Sequence, residues 1–454
     1  MTTPQDDPGS SPAPGAGNHQ NLQNPPDLSC PLSAEAAGPD PDGHRVDLYL
    51  DLGRTLYDAG ASVQRINDSV RYCAHTFGDD DVHAFVGNEA IEVGRRTGDQ
   101  TQIRMHAFRE PVRVNATILQ GISRMLASFK TGCTNPDTVR SRLQELRGLP
   151  PVFPAWVTII AVGAACAAFA WLNHADLLSL WVVFIAATIG FAAKLYAFPR
   201  AGNLYLTVLL SALVASAVAL VLLPFSRTAT AETALISSLL FLVPGTILIN
   251  GGLDIIRDHT GCGIARLTSV MAQLLVITGV LLIPLSLIAP ETGSSALIPL
   301  GVAGILVSTV AAGIAAFGFS LMMNMPLAAL PGCVICGGAA RIIREVAILA
   351  GLDPIMSIFI AMASATLLAF VIGRFTHVTE VVIAVAAGLP MIPGLAAIVG
   401  LNGLFQLAHP AAVFQSALIQ TTLQSSLYAA GVSLALVAGI IFPLIIITRK
   451  KPRI

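Results

Sequence analysis

Two proline–glycine pairs lie inside long apolar stretches of the chain, at Pro244–Gly245 and Pro393–Gly394. Proline removes a backbone donor and clashes with the preceding turn, and glycine tolerates non-helical dihedral angles, so each pair predicts a break in a helix. In a membrane, the peptide groups freed by a break need a polar partner, which a solute or water can supply. Because the breaks occur at matching places in the two halves of the sequence, they favour a transport site over simple kinks.

Polar side chains close to the breaks are the candidate contacts for a solute. Thr246, Asn250 and Asp254 recur at every fourth position after the first break, which places them on one face of a helix. In the second half, Glu380 begins the broken stretch and Asn402 lies near its end. Asp254 and Glu380 are acidic residues in or near the apolar stretches, and such a carboxylate can accept a bond from an ammonium group or carry a coupling proton. The predicted substrate contacts are Pro244, Gly245, Thr246, Asn250, Pro393, Gly394, Asn402 and Arg344.

Two further groups of reactive side chains are candidates for a binding or metal site. Arg344 can bind a carboxylate while Glu345 pairs with it, or the two residues form an ion pair in a periplasmic loop; both interpretations stay open. Cys333 and Cys336 resemble a redox or metal motif, but two thiols do not complete a tetrahedral site, so we assign them to helix packing. The sequence therefore predicts no metal site and no cofactor.

A possible nucleophile lies near the N-terminus, where Gly60 and Ala61 precede Ser62, and Arg65 follows one helical turn later. No histidine or acid is placed by the sequence as a base for this serine. We therefore favour a helix break with a serine cap and predict that the protein is not an enzyme.

The elements that hold these residues divide the chain into a polar first third and an apolar remainder. Of the 454 residues 54% are hydrophobic and only 12% charged, which excludes an ordinary soluble protein. Residues 1–43 are proline-rich and predict a disordered tail without a secretory signal. Residues 44–150 change from helical periodicity to strand alternation and back, which predicts a cytoplasmic α+β domain. A net charge of -1 gives no basic field for nucleic acid.

Beyond residue 151 the sequence predicts a polytopic α-helical membrane protein with ten transmembrane helices. A helix needs about 20 residues to cross about 30 Å of hydrocarbon. Most Lys and Arg residues between the apolar stretches fall on the side of the N-terminal domain, as does the basic tail 449–454, so both termini are predicted to be cytoplasmic. The ten stretches lie at 153–173, 177–195, 203–224, 232–250, 264–289, 296–317, 321–340, 355–373, 379–404 and 424–447.

The ten stretches form two groups of five, at 151–292 and 293–448, and the fourth member of each group contains the Pro-Gly pair. Because five is odd, the second group must enter the membrane in the opposite orientation. The spacing therefore predicts a 5+5 inverted repeat, an arrangement common among secondary transporters.

Four short segments together resemble the threonine/serine exporter family. They are the run 50–65, from Leu50 to Arg65, and the segments 241–245, 319–326 and 389–394. The resemblance covers about residues 44–447 and implies export of threonine and serine across the bacterial cytoplasmic membrane, driven by the proton motive force. Some similar systems divide the two parts between separate polypeptides and export a dicarboxylate.

Three functional classes are compatible with the sequence, and the secondary transporter leads. A membrane-anchored hydrolase would need a nucleophile and a base close together in the N-terminal domain, and a sensor would need an output module. A nucleotide-driven pump is disfavoured, because the chain lacks a Gly-x4-Gly-Lys-Ser/Thr phosphate loop. The predicted partners are threonine or serine, protons and the lipid bilayer, with succinate as the alternative substrate, no nucleic acid, and a homo-oligomer left open.

Overall fold

The computed structural model describes a small mixed region followed by a bundle of apolar helices. The described residues are 44–108, 114–129, 135–288, 302–376, 378–408 and 416–448. The predicted tail 1–43 and the basic terminus 449–454 lie outside the described residues.

The N-terminal region, residues 44–147, combines helices with a three-stranded antiparallel sheet. In the sheet Val82 faces Arg95 and Val86 faces Ile91, and Ile91 is fully buried. The helical and alternating periods of the sequence predict these elements correctly. Their bounds are α1 His44–Asp58, α2 Val63–Thr76, β1 Val82–Val86, β2 Ala90–Thr97, β3 Gln100–Ala107, α3 Ala116–Ser128 and α4 Pro136–Arg147.

The apolar helices fill the rest of the chain. Among the described residues, seven of them are long and apolar enough to cross a membrane, or up to nine if each of two bent pairs forms one span. The fold is thus that of a polytopic membrane protein. The helices are α5 Ala155–Leu172, α6 Leu177–Ala201, α7 Leu204–Ser226, α8 Ala231–Ser237, α9 Gly245–Ile256, α10 Thr260–Ser286, α11 Val302–Met322, α12 Leu330–Leu349, α13 Pro354–Thr376, α14 Glu380–Gly388, α15 Gly394–Leu407 and α16 Ser416–Thr448.

Helix α12 accounts for the difference between these nine candidates and the ten stretches predicted from the sequence. It is 20 residues long, but its second half contains Arg341, Arg344 and Glu345. Three charges within one span are costly in hydrocarbon. Ten transmembrane helices therefore stay a prediction.

The N-terminal region is docked on one end of the helical bundle through the first turn of α3. The backbone N–H of Ala116 donates to the carbonyl of Met323 at 3.0 Å, just after α11 ends. The Thr117 hydroxyl donates to the carbonyl of Asn324 at 2.7 Å. These bonds satisfy donors that a helix start leaves unpaired, and they fix α3 against the bundle.

Candidate functional site

Both predicted breaks are present, and each consists of a 3-10 turn followed by a new helix. The turn Leu240–Leu242 precedes Pro244, and α9 begins at Gly245. The turn Leu389–Met391 likewise precedes α15, which begins at Gly394. The helical segments on either side differ in direction by 63° at the first break and 52° at the second. Bends of this size are too sharp for ordinary helix curvature and reflect the Pro-Gly pairs.

The two breaks pack directly against each other. A Cβ atom on Gly245 would clash with Ile392, and one on Gly394 would lie 2.9 Å from a methyl group of Leu240. The contact is reciprocal, because Ile392 and Leu240 belong to the breaks of opposite halves. Glycine at both helix starts thus allows the two interrupted helices to approach closely.

A cavity of about 260 Å³ lies at this contact. Pro244, Gly245 and Thr246 line it from the first break, and Gly394 lines it from the second. The volume lies just below the range of about 300–1,000 Å³ that is common for small-molecule sites. The cavity therefore suits a solute of few atoms and brings four of the predicted substrate contacts together.

Two polar residues of this cavity were missed by the sequence analysis. Lys194 reaches it from α6, and Gln273, which is 3% exposed, reaches it from α10. Lys194 is a charge inside an apolar stretch, and it contributed only to the orientation of that stretch. Its position within the span was the signal that could have identified it, since charges at membrane depth usually face the protein interior.

A larger cavity, of about 1590 Å³, separates the N-terminal region from the bundle. Thr246 and Asn250 of α9 and Glu380 of α14 line it, together with several side chains of α2. Thr246 also lines the small cavity, as do Val114 and Met323. The two cavities therefore adjoin, and Thr246 lies at their junction.

Arg65 and Glu380 bring opposite charges to the larger cavity from distant parts of the chain. One amino nitrogen of Arg65 donates to the carbonyl of Leu119 at 3.0 Å and to the hydroxyl of Ser123 at 2.7 Å. Burial lowers the pKa of the Arg65 guanidinium to about 10, and the Glu380 carboxylate opposes that shift. Arg65 thus stays charged at neutral pH within the field of Glu380.

Asp254 does not face either cavity, although it shares a helix with Thr246. It is fully buried and forms an ion pair with Arg266 of α10. Its other carboxylate oxygen accepts a hydrogen bond from the backbone N–H of Val63 at 3.0 Å, where α2 begins. Ser62 makes no capping bond with its side chain, so the predicted serine cap is wrong and Asp254 caps α2 instead.

The α1–α2 turn is held by two more bonds from the bundle. The side-chain amide of Asn250 donates to the carbonyl of Gly60 at 3.0 Å. The guanidinium of Arg266 donates to the carbonyl of Ala61 at 3.1 Å. Gly60 has a φ of 83°, a conformation that side chains rarely tolerate. The predicted helix break therefore serves as a docking turn on α9 and α10.

The remaining predicted contacts are not among the residues that line the two cavities. Arg344 and Arg341 both pair with Glu345, at 3.0 and 2.8 Å, and all three residues belong to α12. The interpretation as a loop ion pair is thus wrong about the loop, since the pair forms within a helix. Pro393 and Asn402 do not line either cavity, and Asn402 is 6% exposed within α15.

The packed breaks, the adjoining cavities and the apolar helices define a polytopic membrane protein with polar groups at interrupted helices. A family model described as "Putative threonine/serine exporter" matches residues 47–288, more than half of the chain. A second, described as "Threonine/Serine exporter, ThrE", matches residues 308–446. The chain belongs to the threonine/serine exporter family, a family of transporters rather than enzymes.

Curated relatives of this chain carry a different substrate in their names. A protein of Klebsiella aerogenes named "Probable succinate transporter subunit YjjP" is 24% identical over 224 residues, which span 48% of this chain and 84% of that protein. The protein of the same name from Escherichia coli K12 is 25% identical over 224 residues, or 48% of this chain and 85% of its own length. No solved structure matches the chain.

Proposed function

We propose that the protein is a secondary active transporter that exports threonine and serine, driven by the proton motive force. The main observation in support is that the two breaks contact each other beside a small cavity. Interrupted helices expose backbone groups at their ends, and the N-terminal end of a helix attracts a carboxylate. The adjoining larger cavity provides an approach for a polar solute from the N-terminal region.

The proposed arrangement has ten transmembrane helices in a 5+5 inverted repeat, in a bacterial cytoplasmic membrane. Its support is the relation between α5 and α11, the first helices of the two units. The backbone N–H of Val152, just before α5, donates to the side chain of Asn324, just after α11, at 2.8 Å. The start of one helix thus lies beside the end of the other, as opposite entry of the two units requires.

The N-terminal region and the C-terminus are proposed to face the cytoplasm. The support is the distribution of Lys and Arg between the apolar stretches, together with the basic cluster at 449–454. In this orientation the larger cavity opens towards the cytoplasm, which is the side from which an exporter takes its substrate.

Glu380 is the better of the two candidates for proton coupling. Asp254 is already paired with Arg266 and bonded to Val63, so a change in its protonation would disturb the docked turn. Glu380 lines the larger cavity and stands at the start of α14. A carboxylate there can exchange a proton with water without breaking an ion pair.

Succinate is the second candidate substrate, because relatives that share about half of the chain are named for it. The test is counterflow in proteoliposomes containing the purified protein and labelled threonine, serine or succinate, with and without an imposed pH gradient. We expect threonine and serine to exchange, with net flux that follows the proton gradient. If none of the three compounds is taken up, the transporter proposal is wrong.

A further inference from the structure

Helix α3 contacts two of the segments that bring charged residues to the larger cavity, those of Arg65 and Glu380. Its carbonyl at Leu119 and its hydroxyl at Ser123 accept the bonds of Arg65. The neighbouring Gln120 donates its side-chain amide to the carbonyl of Thr376 at 2.9 Å, at the end of α13. Glu380 begins the next helix, α14, so α3 bonds both to Arg65 and to the end of the helix that precedes Glu380.

Both charged groups have unused bonding capacity. Arg65 uses one amino nitrogen for its bonds to α3, which leaves Nε and the other amino nitrogen without a partner among the described residues. The Glu380 carboxylate makes no hydrogen bond or ion pair within that part of the chain. The two groups are thus farther apart than the 4.0 Å of an ion pair, yet both line one cavity.

We infer that Arg65 and Glu380 bind the carboxylate and the ammonium group of one zwitterionic amino acid, so that the N-terminal region supplies half of the substrate site. A guanidinium recognises a carboxylate through parallel N–H bonds, and a carboxylate recognises an ammonium group. The inference rests on the proposed transport function and narrows its substrate. A dicarboxylate would place its second negative charge beside Glu380, where repulsion opposes binding.

The test uses full-length protein in proteoliposomes and measures the concentration dependence of threonine counterflow. Arg65→Gln and Glu380→Gln remove the two charges, while Arg71→Gln and Asp80→Asn remove exposed charges that line the same cavity. We expect the half-saturating threonine concentration to rise roughly tenfold or more in the first two variants, as for the loss of a charged hydrogen bond. The two control variants are expected to match the natural protein.

A second measurement on the unaltered protein keeps the inference falsifiable if a variant fails to fold. We expect serine to compete strongly with threonine, whereas 3-hydroxybutyrate, which lacks the ammonium, and 1-amino-2-propanol, which lacks the carboxylate, compete at least about tenfold more weakly. If threonine is transported but all three compounds compete equally, the inference is wrong and the transport proposal stands. The same holds if threonine is transported and Arg65→Gln and Glu380→Gln match their controls. Exchange of succinate alone would overturn the inference as well, whereas transport of nothing would overturn both proposals.

Discussion

Asp254 is a buried carboxylate whose bonds join two parts of the chain. It pairs with Arg266 and caps α2 through the backbone N–H of Val63. The Arg266 guanidinium also lies 5.8 Å from the ring centroid of Tyr57, at the end of α1. These contacts make the carboxylate a structural link between the N-terminal region and the bundle.

Replacement of one member of this pair is expected to destabilise the protein more than replacement of both. Asp254→Asn leaves the Arg266 charge buried without a counter-ion, which costs about 3–5 kcal/mol in buried pairs. The double variant Asp254→Leu with Arg266→Met removes both charges and is expected to cost less. Thermal unfolding in detergent of Asp254→Leu, of Arg266→Met and of the double variant measures the coupling. Single variants as stable as the natural protein would contradict this role.

Ser62 is expected to be dispensable for transport. Its hydroxyl makes no capping bond to α2, and the first backbone N–H of that helix donates to Asp254. Ser62→Ala should therefore leave the rate of threonine counterflow within about twofold of the natural protein, in line with the small effects of substitutions that remove no bond. Loss of transport at an unchanged protein level would contradict this prediction and make the Ser62 hydroxyl necessary for transport.

Spacing along the sequence predicted part of the residue-scale picture. Thr246, Asn250 and Asp254 do lie on one helix, as their four-residue period requires. The partners of Asn250 and Asp254, at Gly60 and Val63, are about 190 residues away in the chain. No local pattern contains that contact, which explains why Asp254 was predicted as a candidate for proton coupling and its partners were not predicted.

At the scale of elements, the breaks were predictable and their mutual packing was not. Proline and glycine act on their own peptide groups, so the positions of the breaks follow from local chemistry. The contact of Gly245 with Ile392 depends on the tertiary arrangement of two helices that the sequence separates by more than a hundred residues. The cavities are likewise properties of packing, which is why Lys194 and Gln273 were missed.

A methyl group at the first break is expected to disturb the contact between the two halves. Gly245→Ala places a Cβ atom against Ile392, and overpacking of this kind typically costs about 1–3 kcal/mol. The matched control is Gly279→Ala in α10, where a Cβ atom meets nothing within 4 Å. We expect thermal stability and threonine exchange to fall in the first variant and not in the second.

The addition of Ile392→Ala supplies a further check on that prediction. Shortening this side chain opens space for the new methyl group, so it should recover part of the stability that Gly245→Ala loses. If the double variant is no more stable than Gly245→Ala alone, the packing of one break on the other is not what the glycine serves.

At the scale of the whole molecule, the N-terminal region forms one wall of the approach to the breaks. Its helix α3 is bonded to the bundle at Met323 and at Thr376, and its α1–α2 turn is bonded at Asn250. Composition separated this region from the apolar remainder, and no contact between the two was predicted. These bonds make the region part of the wall of the larger cavity. The side from which a reagent reaches the breaks can therefore be predicted.

Thr246 lies where the two cavities meet, so a reagent that enters from the side of the N-terminal region should reach it. We expect Thr246→Cys to react with a membrane-impermeant maleimide in inside-out vesicles and to be slow in right-side-out vesicles. Leu352→Cys is the matched control at the opposite end of the bundle, where Leu352 is 42% exposed between α12 and α13, and it should show the reverse preference. Cys30 and Cys133 are replaced by serine in both variants, and the five cysteines in the described residues are buried, so they should add little background. Threonine should slow the labelling of Thr246→Cys but not of Leu352→Cys, since a solute on its way to the breaks must pass Thr246. If Thr246→Cys is labelled equally from both sides and threonine gives no protection, the cavities are not the route.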